Sequence, residues 1–207
     1  MTSRLLCLVA VGIVVSGCAT THPGDAAVVG DTAITESSIG EQLRAINELT
    51  GKPADEPSEE LTRAIVSYNV GHALIRQVAA EFQAEVPRAV LDQSYAQQVQ
   101  QLGGEEQLKV AAAQSGVAPS VLRRDLETQL LVAAIANKVA PGADQSQQQP
   151  KLLEALTAQS EKLNIEVAPK YGEWDPATLQ LGEVKFPVSR PQVAPTPAMA
   201  PQPQPQP

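Results

Sequence analysis

Residues 58–82 read SEELTRAIVSYNVGHALIRQVAAEF, and this stretch decides the fold. Ser58 offers an N-cap oxygen, and Glu59 and Glu60 put negative charge in the first turn, where the helix dipole favours it. Leu61, Ile65, Tyr68, His72, Ile75, Ala79 and Phe82 then recur in alternating steps of four and three, which is one face of a helix. Val66, Val70, Leu74 and Val78 lay a second apolar stripe beside the first. A helix apolar on two flanks is buried between neighbours, so this segment organises the chain. Gly71 inside it costs about 1 kcal/mol relative to alanine, and we read it as the mark of a close helix crossing.

Towards the N-terminus, residues 26–35 (AAVVGDTAIT) place Val28 and Val29 before a Gly30-Asp31 turn and Ile34 after it, a strand–turn–strand signal. Thr35 can cap a helix over Glu36–Leu49, in which Ile39, Leu43 and Ile46 share a face. Residues 51–57 break it. Asp55, Glu56, Glu59 and Glu60 form a negative patch, read as a solvated helix start, with attraction of basic client segments as the sharper alternative.

Towards the C-terminus, Pro87 suits a first helical turn. Leu91, Tyr95, Val99 and Leu102 carry a third helix to Gly103-Gly104. A short helix over residues 105–115 ends at Gly116, and Pro119 opens another that runs to about Val139 with Leu122, Leu126 and Leu130 on one face. Residues 144–149 read as a polar linker. Leu152, Leu156 and Leu163 restore helical spacing over 151–163, and Ile165–Val167 alternates as a brief strand stopped by Pro169. The turn-rich YGEWDPATLQL after it holds the only tryptophan, Trp174, so this segment should dock on the domain. Residues 187–207 are rich in proline, carry one charge at Arg190, and are expected to form a disordered, polyproline-like tail.

The beginning of the chain gives an address. Arg4 precedes the uncharged run LLCLVAVGIVVSG over residues 5–17, too short for the roughly 20 residues of a membrane-spanning helix but right for a secretory signal. Val15-Ser16-Gly17-Cys18 resembles the lipobox of bacterial lipoproteins. That resemblance implies cleavage after residue 17 and attachment of diacylglycerol to the thiol of Cys18. The protein would then be held by its lipid at the extracytoplasmic face of the cell membrane, with residues 18–25 as a tether. Cys7 would leave with the signal, so neither a disulfide nor a cysteine nucleophile would remain.

Residues 103–139, GGEEQLKVAAAQSGVAPSVLRRDLETQLLVAAIANKV, resemble the N-terminal domain of the SurA and PrsA-type extracytoplasmic foldases. The shared features are the double glycine, the helix ended by Gly116, the start at Pro119, and the Arg123-Arg124-Asp125-Leu126 and Gln129-Leu130-Leu131 runs. The opening AVVGDTAIT is similar to that family's opening, and YGEWD at 171–175 resembles a late segment of lipoproteins of this type from actinobacteria. The resemblance covers residues 26–181. It implies a mainly α fold, a SurA-N-like helical domain whose small sheet joins the N-terminal hairpin to a late strand, with Ile165–Val167 as the candidate. It also implies an ATP-independent chaperone that holds unfolded or nascent exported polypeptides. Many members insert a parvulin-type prolyl isomerase after the helix matching 121–139. Only residues 140–150 stand there in this chain, so that activity is not carried over.

Composition and motifs narrow the chemistry. With 15 Lys+Arg against 23 Asp+Glu in 207 residues the formal charge is −8, which argues against nucleic-acid binding. Of the two histidines, His22 lies in the tether and His72 on the inner stripe, where a neutral histidine with one hydrogen bond is the expectation. No His/Cys cluster has metal-ligand spacing, and Gly103-Gly104 lacks the rest of a phosphate loop. We therefore assign no catalytic residue, metal, cofactor or nucleotide. Peptide-binding candidates are Tyr68, Phe82, Leu91, Tyr95 and Leu102, around the junction of the organising helix and the third. With 3% aromatic residues any groove is aliphatic and its contacts weak. The rival reading is a structural or assembly lipoprotein that binds one envelope partner.

Overall fold

Asp25–Val29 (β1) is a run of small and β-branched residues, and four of its five are buried, so it can only be the middle strand of a covered sheet. Its partners are Thr32–Thr35 (β2), across the turn at Gly30 (φ +55°), and the late Ile165–Val167 (β3). The order is β2-β1-β3, all antiparallel, with Val28 opposite both Ala33 and Glu166. The computed structural model describes residues 22–184. Cys18, the signal-like residues 1–17 and the proline-rich 187–207 lie outside them. The end of the expected tether is already part of the fold, since Asp25 opens β1 and closes a turn with His22.

Six helices complete the architecture among the described residues: Glu36–Leu49 (α1), Glu59–Glu81 (α2), Arg88–Gln101 (α3), Glu105–Gln114 (α4), Leu122–Val139 (α5) and Gln145–Lys162 (α6). The local signals work where they should. The Thr35 hydroxyl accepts from the Ser38 N–H at 3.2 Å, and the Ser58 hydroxyl from the Leu61 N–H at 3.2 Å. The organising role of α2 holds: its first half packs Ile65, Val66 and Val70 against the sheet and α1, and its second half packs Leu74 and Val78 against α5 and α6.

The core accordingly has two lobes. One gathers Val29, Ile34, Ile39, Ile46 and Tyr171 around the sheet. The other gathers Leu131, Ile135 and Leu152 under the far end of α2. The late segment docks as expected. Trp174 Nε1–H donates to Ser160 Oγ at 2.8 Å, Tyr171 Oη–H to Glu36 at 2.5 Å, and Arg63 to the carbonyls of Tyr171 and Gly182 at 3.1 and 2.8 Å.

Four local expectations need correction. Residues 145–149 are helix, not linker, because the Asp144 side chain caps Gln147 N–H; the helix then runs through Pro150. No apolar periodicity marks that turn, so the cap alone starts it. No residue of α3 is buried, although Leu91, Tyr95 and Val99 are spaced for it; α3 meets only α5 and α4 to any extent, and these residues stay half-exposed. Gly71 does not mark a close crossing, since a Cβ there would have nothing within 4 Å. Finally, the turn-rich end contains a hairpin, Trp174–Asp175 (β4) with Gln180–Leu181 (β5), closed by Asp175 oxygens that accept from Ala177 N–H and Thr178 Oγ–H.

Gly172 holds this hairpin close. Its φ is +104°, and a Cβ would lie 2.3 Å from the Gly182 carbonyl oxygen. Gly172→Ala should therefore lift the hairpin and cost about 2 kcal/mol, combining left-handed strain with overpacking. Denaturant unfolding and the emission of Trp174 would read this, and an unchanged midpoint and spectrum would contradict it.

Candidate functional site

Five residues read from the sequence as peptide-binding fall into three places. Leu91 and Tyr95 lie on α3 and Leu102 caps its C-terminal end. Tyr68 on α2 and Phe82, which caps its C-terminal end, lie about 21 Å apart along the helix axis. Phe82 is half-buried against the second core lobe. Tyr68 packs beside the first lobe, and its hydroxyl donates to the Asp125 carboxylate. Burial and that carboxylate hold its phenol far above the usual tyrosine range. None of the five lines a cavity described below.

The α3 group has a geometry of its own. α3 and α4 form a helical hairpin turned by Gly103 and Gly104, both at positive φ. α4 packs on α1 and buries Leu108 and Ala113, whereas α3 rests on α5 without a buried residue. Arg123 of α5 lies 4.8 Å over the Tyr95 ring and pairs with Asp92, which ties the hairpin down. Val90 and Leu102 are each 44% exposed. On the outer side of α4, Val110 and Ala111 floor a shallow depression rimmed by Glu106, Gln107 and Gln114. The arm thus combines an aliphatic surface with a polar rim.

A second feature was legible only at His72. The ring is 4% exposed, at the centre of a buried polar seam between α1, α2 and α5. Its Nδ1 lies 2.5 Å from Thr128 Oγ1, and that hydroxyl donates to the Arg124 carbonyl at 2.8 Å. The Thr128 hydrogen is therefore spent, so Nδ1 carries the imidazole proton and Nε2 is bare. Nε2 has no hydrogen-bond partner and stands 3.9 Å from Asp125 Oδ1. Burial, reinforced by the Arg124 charge, pushes the histidine pKa down to about 4, so the ring is neutral.

The seam continues through residues that sequence reading did not single out. Asn69 donates to Gln42 Oε1 at 3.1 Å and to the Ile65 carbonyl at 2.7 Å, and its own Oδ1 accepts from Arg124 Nη2 at 2.6 Å. The available signal was two polar residues, Asn69 and His72, one turn apart on a helix whose other inward positions are apolar. Beside the seam a cavity of about 490 Å³ opens between β2, α1, α2 and α5, with Asn69, His72, Arg76 and Arg124 in its wall. Among the described residues no three His, Cys, Asp or Glu side chains are placed to hold a metal, and no helix is long and apolar enough to cross a membrane.

Compared with protein families, with curated sequences and with solved structures, the chain finds no match.

Proposed function

We propose that the protein is an extracytoplasmic, ATP-independent holdase, anchored through a lipid on Cys18, that shields unfolded or nascent exported polypeptides and has no prolyl isomerase activity of its own. The observation that carries this reading is α3, a helix of 14 residues without one buried side chain. A helix that gains so little from its own domain leaves apolar surface for other chains, and weak aliphatic contacts suit transient holding. The mainly helical architecture around a sheet closed by a late strand is in keeping with the SurA-like resemblance. Only residues 140–144 separate α5 from α6, too few to house an inserted isomerase.

Tested on a chemically denatured client, the protein should suppress light scattering at near-stoichiometric amounts. Exchanging Val90 and Leu102 for glutamate should weaken suppression about thirty-fold, because two exposed apolar contacts of about 1 kcal/mol each are lost. Absence of suppression by the unmodified chain would overturn the reading.

A second reading, an assembly lipoprotein with one folded partner, is favoured by a different observation. Val90, Leu102 and Leu153 are the only large apolar residues that are strongly exposed among the described residues. Cross-linking in cells separates the two: many unrelated partners favour the holdase, and one favours assembly.

A further inference from the structure

The cavity beside His72 contains a cation without its counter-charge. Arg124 is half-buried, its Nε is fully enclosed with no hydrogen-bond partner, and its Nη2 is met by a neutral amide oxygen, that of Asn69. Among the described residues it forms no ion pair, and burial lowers its pKa. The neighbouring carboxylate does not pair with it: Asp125 Oδ1 accepts from Tyr68 and Oδ2 from Gln129. A second guanidinium, Arg76, lines the same cavity and is held only by an exposed pair with Glu127 at 3.6 Å. His72, neutral, adds no charge of its own. In a chain of net charge −8 the cavity lining holds two guanidiniums and no carboxylate, and a guanidinium withdrawn from water calls for an anion.

The cavity wall also says what bears that anion. β2 is an edge strand, and its four residues, Thr32 to Thr35, all line the cavity. Thr32, Ala33 and Thr35 are exposed, and among the described residues no strand pairs with the outer edge. An unpaired strand edge beside a cationic pocket matches an extended peptide whose chain ends there. The cavity, about 490 Å³, has room for more than a lone carboxylate ion. We infer that this cavity binds the C-terminal carboxylate of an extended peptide between Arg124 and Arg76, with the peptide backbone laid along the free edge of β2. The inference is independent of the holdase reading, because neither β2 nor this cavity includes a residue of α3 or α4.

The test is fluorescence anisotropy with the full chain and an N-terminally labelled Ala-Val-Ala-Val-Ala-Val peptide, as free acid and as C-terminal amide. The acid should bind about ten-fold or more tighter than the amide, since a charge-assisted pair with arginine is lost on amidation. Arg124→Met should abolish that preference and Arg76→Gln should reduce it, with thermal unfolding followed in parallel. Succinate should compete only at far higher concentration than the peptide acid, which separates a peptide end from a free small carboxylate. Equal binding of acid and amide by the unmodified chain, including none by either, would overturn the inference; so would succinate binding as tightly as the peptide. If Arg124→Met fails to fold, the acid-to-amide ratio in the unmodified chain and in Arg76→Gln decides.

Discussion

Lowering the pH from 6.5 to about 4 is expected to remove about 3 kcal/mol of stability through His72 alone. The folded ring has a pKa of about 4, against 6.5 for a histidine in water. Each pKa unit is worth about 1.4 kcal/mol, which sets the size of the loss. The unfolded chain takes up its proton first as the pH falls, so acidification favours unfolding. The contribution is complete above about pH 6.5, declines through the window, and levels off below about pH 4. The groups around the ring account for the direction: Arg124 and Arg76 repel a second proton, and burial outweighs the pull of Asp125 3.9 Å away. Tyr68, packed edge-on with ring centres 4.3 Å apart, stays un-ionised throughout. Urea unfolding at a series of pH values should show this slope in the natural chain and a much flatter one in His72→Gln. Carboxylates elsewhere titrate alike in both proteins, so parallel profiles would contradict the assignment.

Ile135→Ala should cost about 3–4 kcal/mol, a typical loss for truncating a large aliphatic side chain in a rigid core. Ile135 is fully buried where α5 meets the second half of α2 and α6, among Leu74, Val78, Leu131 and Leu152. Three helices meet at this residue, and closing the void would require moving one of them against the others. The comparison is Leu153→Ala on α6, 53% exposed, which should change stability by less than about 0.5 kcal/mol. Denaturant midpoints with an unchanged slope would report both. A loss for Ile135→Ala no larger than that for Leu153→Ala would mean that this lobe is not the rigid junction described.

Much of the fold was readable because its causes are local. α1 starts and stops where its cap and its spacing place it, since the Thr35 hydroxyl and the Ile39–Ile46 stripe lie within a few turns of one another. Gly30 makes the first hairpin, and Ile165–Val167 completes the sheet, because an alternating apolar segment near the end of the chain has to be covered somewhere. The depth of α2 followed from its two stripes. The α6 start was missed because a side-chain cap leaves no hydrophobic period, and the exposure of α3 because spacing reports a face without saying whether anything covers it.

The polar seam was beyond sequence reading for another reason. Tyr68 meets Asp125, His72 meets Thr128 and Asn69 meets Arg124 across 57, 56 and 55 positions. What the amino acids determined by themselves was helix, strand and turn, and which helix would be central, because those depend on neighbours along the chain. The packing of α5 against α2 decided that Arg124 would be enclosed without a carboxylate and that His72 would be neutral, and the pairing of β3 with β1 left β2 its open edge. Burial and charge pairing arise between segments, and only the folded chain brings those segments together.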